Sequence, residues 1–113
     1  MDESVGERAR RVLVVGVGAG DKPLPIDDVV LPPDGTLIVM ERDAARAADL
    51  RRRFSAEGID GRATVICGDP RRILYKLAGP FDVIYADPAY LEVRPLLEKL
   101  LAPHGVLVTN VDV

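Results

Sequence analysis

The polar residues that could do chemistry in this chain follow short apolar runs at four places. A glycine turn, Gly16–Gly20, comes directly after the run Val12–Val15. Glu41, Gly68-Asp69 and the segment Asp87–Tyr90 come after three later runs of the same kind. Parallel strands bring their carboxyl ends to one edge of a sheet, and open α/β sheets bind ligands at that edge. We therefore expect the four places to form one ligand-binding edge.

Three of these places suit an adenosine-containing ligand. Glycines lack side chains, so Gly16, Gly18 and Gly20 would let a ligand approach the backbone closely. Glu41 at a strand end can accept hydrogen bonds from the two ribose hydroxyls. Asp69 could accept from an adenine amino group, or it could cap the helix that follows it.

The fourth place lies where the reacting part of a substrate would be. Asp87 and Tyr90 could orient a substrate, bind a divalent cation through oxygen, or help to remove a proton. Arg42, next to Glu41, is included among the cofactor-binding positions. Asp21 stands where the dinucleotide fingerprint has its third glycine, which disfavours a nucleotide-binding oxidoreductase.

The alternation of β-branched runs with segments of helical spacing predicts one Rossmann-like α/β domain over residues 1–113. Its sheet is expected to be doubly wound and mostly parallel, because apolar residues at consecutive positions are typical of parallel strands covered on both faces. The pattern predicts five strands, at Arg11–Val15, Thr36–Glu41, Ala63–Cys67, Phe81–Ala86 and Val106–Thr109.

Helices are predicted between these strands. Asp43 caps the first regular helix and Gly58 stops it. Pro95 either kinks the last helix or starts its regular part. The predicted helices cover Asp43–Glu57, Pro70–Leu77 and about Leu91–Leu101, with a short helix or 3₁₀ segment around Ile26–Leu31.

Composition limits the class of protein. Hydrophobic residues make up 48% and charged residues 29%, a normal globular balance, and the net charge of -3 argues against a nucleic-acid binder. The apolar runs are too short to cross a bilayer and the first residues lack a signal-peptide layout, so we expect a cytoplasmic protein. Cys67 is expected to be a buried strand residue. The basic pair Arg71-Arg72 is interpreted as a solvated helix face.

The order of the segments VLVVGVGAG, LPPDGTLIVMERD, VICGDPRRIL, GPFDVIYADPAY and LLAPHGVLV resembles class I S-adenosylmethionine-dependent methyltransferases, closest to the caffeoyl-CoA O-methyltransferase type. The resemblance implies that S-adenosylmethionine is the cofactor and that a methyl group is transferred to oxygen on a small molecule. It places the glycine turn and Glu41 at the cofactor, Asp69 beside adenine, and Asp87 and Asn110 at metal-binding positions.

The chain also departs from that family. Val14 replaces an acidic residue that helps to hold the methionine end of the cofactor, which leaves open a binding or structural protein without catalysis. Ala89, Tyr90 and Val111 replace polar residues near the metal-binding positions, so no metal is assigned. Asp87–Tyr90 is one residue from the Asp-Pro-Pro-Tyr motif of amino-group methyltransferases acting on nucleic acid, a further alternative.

The family's strand order, 3-2-1-4-5, would place the fifth strand at an edge. Members of the family that this chain resembles continue with antiparallel strands after the fifth strand, and we expect this chain to lack them. A long unpaired edge invites pairing with another chain. The sequence therefore predicts a homodimer through the fifth strand.

Overall fold

A computed structural model describes residues 10–16 and 34–109 of the chain. Each strand is formed by a run of mainly β-branched or apolar residues, and each helix begins at a capping residue or a proline. The strands are β1 (Arg11–Val15), β2 (Thr36–Glu41), β3 (Ala63–Cys67), β4 (Phe81–Ala86) and β5 (Leu101–Thr109). The helices are α1 (Ala44–Ala56), α2 (Pro70–Ile73) and α3 (Arg94–Lys99), with 3₁₀ turns at Leu74–Lys76 and Pro88–Val93.

The five strands form one sheet in the order β3-β2-β1-β4-β5, and every pair within it is parallel. This confirms the predicted Rossmann-like α/β fold and its strand order. Side chains of β1 alternate between the two faces, because successive residues of a strand point in opposite directions. Val12 and Val14 pack on the α1 side, whereas Leu13 and Val15 pack on the α3 side. Both faces of β1 are therefore buried.

Helix α1 begins and ends at the residues that the sequence indicates. The Asp43 side chain accepts a hydrogen bond from the backbone N–H of Arg46 at 3.0 Å, which is an N-cap. The helix stops before Gly58, whose φ of +74° is readily adopted only by glycine. Three buried side chains, Ala47, Leu50 and Phe54, face the sheet.

The helices on the other face are shorter than predicted. Helix α2 ends at Ile73 and the chain continues as a 3₁₀ turn to Lys76. A 3₁₀ turn at Pro88–Val93 precedes α3, and Pro95 lies in the first turn of α3. Of the two alternatives for Pro95, the structure therefore shows that it starts the regular helix.

The amino-terminal end of β1 is fixed by side chains from the β4 side. The Asp82 carboxylate accepts hydrogen bonds from the backbone N–H groups of Arg10 and Arg11, both at 2.9 Å. The Arg11 guanidinium donates to the carbonyl of Pro80 at 2.9 Å and lies 4.5 Å from the centre of the Phe81 ring. These contacts join two strands at the sheet end opposite the predicted site.

Two details of the prediction are wrong. Strand β5 begins at Leu101 and not at Val106, because Leu101 pairs with Phe81 before the register shifts and Val106 pairs with Val83. Cys67 belongs to β3 as predicted, but it is exposed and not buried, because it is the last residue of a strand at the sheet edge. The short helix predicted around Ile26–Leu31 lies outside the described residues.

Candidate cofactor site

The carboxyl ends of the first four strands are tied together by backbone hydrogen bonds. The N–H of Gly16 donates to the carbonyl of Met40 at 2.8 Å, and the N–H of Gly68 donates to that of Glu41 at 3.1 Å. The N–H of Asp87 donates to the carbonyl of Val15 at 3.0 Å. The residues that follow each strand therefore begin from fixed positions along one edge.

A cavity of about 200 Å³ opens at this edge. Five of the predicted site residues line it, whereas Gly18 and Gly20 lie outside the described residues and Asp69 is not part of the lining. The described lining consists of Gly16, Glu41, Arg42, Arg46, Asp87, Ala89 and Tyr90.

Glu41 is the buried carboxylate of this cavity, with 1% of the residue exposed. Its Oε2 accepts from the backbone N–H of Asp43 at 2.7 Å and from Nη2 of Arg46 at 3.1 Å. These two bonds orient the carboxylate within the cavity. The ion pair with Arg46 also compensates a charge that would otherwise be costly to bury.

Arg46 is a site residue that the sequence analysis missed. It lies in the first turn of α1, where its Nη1 approaches the capping carboxylate of Asp43 at 3.7 Å. The hydrogen bond to Glu41 raises the pKa of Arg46, so the guanidinium stays charged. Its Nε is buried without a hydrogen-bond partner. The sequence did contain a signal for this role, because Arg46 follows the capping Asp43 by one helical turn and lies close to Glu41 at the strand end.

Tyr90 fills the space above the first glycine. The residue is buried, and its N–H donates to the carbonyl of Asp87 at 2.8 Å. A Cβ placed on Gly16 would lie 2.6 Å from Cε2 of the Tyr90 ring, and Gly16 has a φ of +75°. Glycine is therefore required at position 16 both by the backbone and by the aromatic ring.

The outer face of the same ring is covered by Arg71, whose guanidinium carbon lies 5.0 Å from the ring centre. The nucleic-acid alternative needs the aromatic ring after Asp87 to stack on a base. In this arrangement a base could stack only after Arg71 had moved, so the geometry does not favour that alternative.

Asp69 and Asp87 have different surroundings. The Asp69 carboxylate accepts from the backbone N–H of Arg71 at 3.0 Å and so caps α2, which is one of the two roles that the sequence left open. The Asp87 side chain makes no cap hydrogen bond and lies half-buried in the cavity lining. Of these two carboxylates, Asp87 is therefore the one that lines the cavity.

A metal centre needs several donor side chains close together. Among the described residues, no three His, Cys, Asp or Glu side chains lie close enough to hold an ion. Asn110, the second position implied by the resemblance, lies outside the described part of the chain. Of the two implied metal-binding positions, the described residues therefore include Asp87 alone.

Sequence comparison finds curated relatives but no matching family model. The O-methyltransferase ankF of Aspergillus thermomutatus is 30% identical over 109 residues, which are 91% of this chain and 46% of that protein. A catechol O-methyltransferase of Niastella koreensis is 29% identical over 110 residues, 91% of this chain and 49% of that protein. The chain spans about half the length of the curated relatives it matches.

Solved structures agree with these relatives. The O-methyltransferase TomG from Streptomyces achromogenes, solved in complex with SAM, superimposes with a TM-score of 0.78 at 26% identity, covering 93% of this chain and 50% of that one. Both relatives and this structural neighbour are O-methyltransferases, and the neighbour binds SAM, as the resemblance predicted. The described residues of this chain have the fold of that neighbour.

Proposed function

We propose that this chain forms the S-adenosylmethionine-binding part of an O-methyltransferase that acts on a small molecule. One observation carries the proposal: the buried carboxylate of Glu41 and the backbone of Gly16 line the same cavity as Asp87. In an open parallel sheet, this edge is the usual place for an adenosine cofactor. The names of the relatives support methyl transfer to oxygen.

The charges of the cavity suit this cofactor. S-adenosylmethionine carries an amino group, a carboxylate and a positively charged sulfur, and the lining offers two carboxylates and two guanidinium groups. Glu41 accepts from the ribose hydroxyls in this proposal, while Arg46 orients the Glu41 carboxylate. Gly16 contributes backbone to the cavity lining, and its missing side chain leaves room for the Tyr90 ring.

Asp87 acts on the methyl acceptor. When bound, the cofactor supplies a methyl group on a sulfonium sulfur, an electrophilic carbon. The half-buried Asp87 carboxylate accepts the proton of the acceptor hydroxyl and so raises the nucleophilicity of that oxygen. The tied strand ends hold Asp87 near the cofactor cavity, and this proximity contributes to the rate. Tyr90 supports the segment that carries Asp87.

Calorimetric titration with S-adenosylhomocysteine tests the proposal. Glu41→Gln removes the charge of the ribose acceptor, and each lost charge-assisted bond costs about 1.5 to 3 kcal/mol, which is about a 10- to 150-fold rise in Kd. The exposed Glu98→Gln in α3 serves as the control and should bind like the wild type. Because Glu41 is paired with Arg46, thermal melts of both variants must show that the fold persists.

The outcomes separate the alternatives. Wild-type binding with weakened Glu41→Gln supports both the cofactor and the residue. Equal binding by the two proteins would exclude Glu41 as the ribose ligand. Absence of wild-type binding at millimolar ligand would favour the binding or structural protein that Val14 suggested.

We also propose that the protein is a cytoplasmic homodimer that pairs through β5. The described helices include none with the length and apolar character needed to cross a membrane. Strand β5 lies at a sheet edge and presents Val106 and Val108, which are 37% and 36% exposed. An exposed apolar edge strand favours association. Size-exclusion chromatography with light scattering should show a dimer mass, and a strict monomer at high concentration would contradict the dimer.

A further inference from the structure

Arg71 joins α2 to the segment that follows Asp87 through one guanidinium group. It donates to Oε1 of Glu92 at 2.8 Å and to the carbonyl of Ala89 at 3.3 Å. It also approaches Oδ1 of Asp69 at 3.5 Å and stacks over the ring of Tyr90. Asp69 is the cap of α2, whereas the other three residues follow Asp87 in the chain.

The chemistry of this set requires a guanidinium. Arginine carries five N–H donors in a plane, so it can bind carboxylates with its edge while its face lies on an aromatic ring. A lysine ammonium is a compact point charge and cannot make all of these contacts together. The pKa of Glu92 is lowered because its carboxylate accepts from Arg71, which agrees with a persistent ion pair.

The contacts reach the cavity through Tyr90. The Cδ2–Cε2 edge of the Tyr90 ring lies against Gly16, and the guanidinium of Arg71 lies over the ring. Arg71 is not part of the described cavity lining, so it can affect a ligand only through the residues that it holds. In the described part of the chain, the hydrogen bonds of Arg71 to Ala89 and Glu92 connect the segment Pro88–Val93 to α2.

We propose that Arg71 is a positioning residue that holds the Asp87–Tyr90 segment in place against α2. The hydrogen bonds to Ala89 and Glu92 and the contact with the Tyr90 ring fix the segment that carries the proposed proton-accepting carboxylate. The role of this segment in a reaction rests on the proposed function, whereas its fixing by Arg71 does not.

Hydrogen exchange measured by mass spectrometry on the whole chain tests the fixing role. In Arg71→Met, amides of residues 87–92 should exchange about tenfold faster than in the wild type, because local opening becomes easier when tertiary contacts are lost. Arg71→Lys should behave like Arg71→Met. Arg72→Met, which changes the exposed neighbour, is the control and should match the wild type, as should the α1 peptide in every variant.

Titration with S-adenosylhomocysteine separates this role from ligand binding. Arg71→Met should bind the ligand within about threefold of the wild-type affinity, because Arg71 is not part of the described cavity lining. Equal exchange of Arg71→Met and Arg72→Met would overturn the fixing role, and wild-type rates in Arg71→Lys would overturn the need for a planar group. Failure of the wild type to bind would instead contradict the proposed function, and the exchange rates without ligand would still decide the fixing role.

Discussion

Substitution of Gly16 by alanine should lower the free energy of unfolding more than the same substitution at Gly58. The two glycines have nearly identical backbone conformations, with φ of +75° and +74°. Their surroundings differ, because a Cβ at Gly16 meets Tyr90 at 2.6 Å whereas a Cβ at Gly58 meets nothing within 4 Å. The pair therefore separates the backbone cost from the steric cost.

The expected magnitudes follow from these contacts. A left-handed conformation costs a non-glycine residue about 1 to 2 kcal/mol, and both variants bear this cost. The gain from a stiffer unfolded chain is also common to both and cancels in the comparison. Forcing a methyl group against the buried Tyr90 ring adds about 1 to 3 kcal/mol at Gly16 alone. Gly16→Ala should thus lose about 2 to 5 kcal/mol in total.

Urea denaturation followed by far-UV circular dichroism measures these differences, provided that the slopes of the transitions agree. The double variant Gly16→Ala/Tyr90→Ala should lose about 1 to 3 kcal/mol less than the sum of its single variants, because the obstructing ring is gone. Equal losses for Gly16→Ala and Gly58→Ala would refute the steric argument, as would strict additivity in the double variant.

Three further outcomes follow from the described residues. Phe54→Ala should lower the free energy of unfolding by about 3 to 5 kcal/mol in urea denaturation, because this ring is buried between α1 and the sheet, and a loss below about 1 kcal/mol would contradict that packing. The hydrogen bond from the N–H of Arg46 lowers the pKa of Asp43, so this group stabilises the fold above its unfolded-state pKa and loses that contribution as the pH falls through its folded-state pKa. In acid titrations of stability, Asp43→Asn should therefore lose less than the wild type over that range, and parallel curves would exclude the effect. Cys67 is exposed, so the folded protein should react with a thiol reagent such as DTNB without denaturant, and a reaction that needs urea would show that the thiol is buried.

Local sequence signals predicted the frame of the fold. Apolar residues at consecutive positions located β1 to β4 to the residue, and in β1 this pattern corresponds to burial of both faces. Asp43 and Gly58 marked the limits of α1, because capping and positive φ are properties of single residues. The positions of Glu41 and Asp87 at one edge followed from the parallel order of the strands.

Features that depend on distant partners were not predictable in this way. The fifth strand was predicted to begin at Val106, yet Leu101 also pairs with β4, and only the register of the sheet reveals that pairing. Cys67 belongs to an apolar run of the sequence, but it lies on an edge strand, where the burial of a side chain depends on elements that are distant in sequence. Arg71 was interpreted as part of a solvated face, because its partners Ala89 and Glu92 are remote in sequence.

The central place of β1 has a consequence for synthesis on the ribosome. Val12 pairs with Leu37 on one side but with Val83 on the other, so one edge of β1 has no partner until β4 has been made. Such long-range pairing delays folding and leaves an apolar strand edge open to other nascent chains. The contacts of Asp82 with the start of β1 become available at the same moment. A translational pause before β4 would therefore prolong the stage at which this chain is most prone to aggregate.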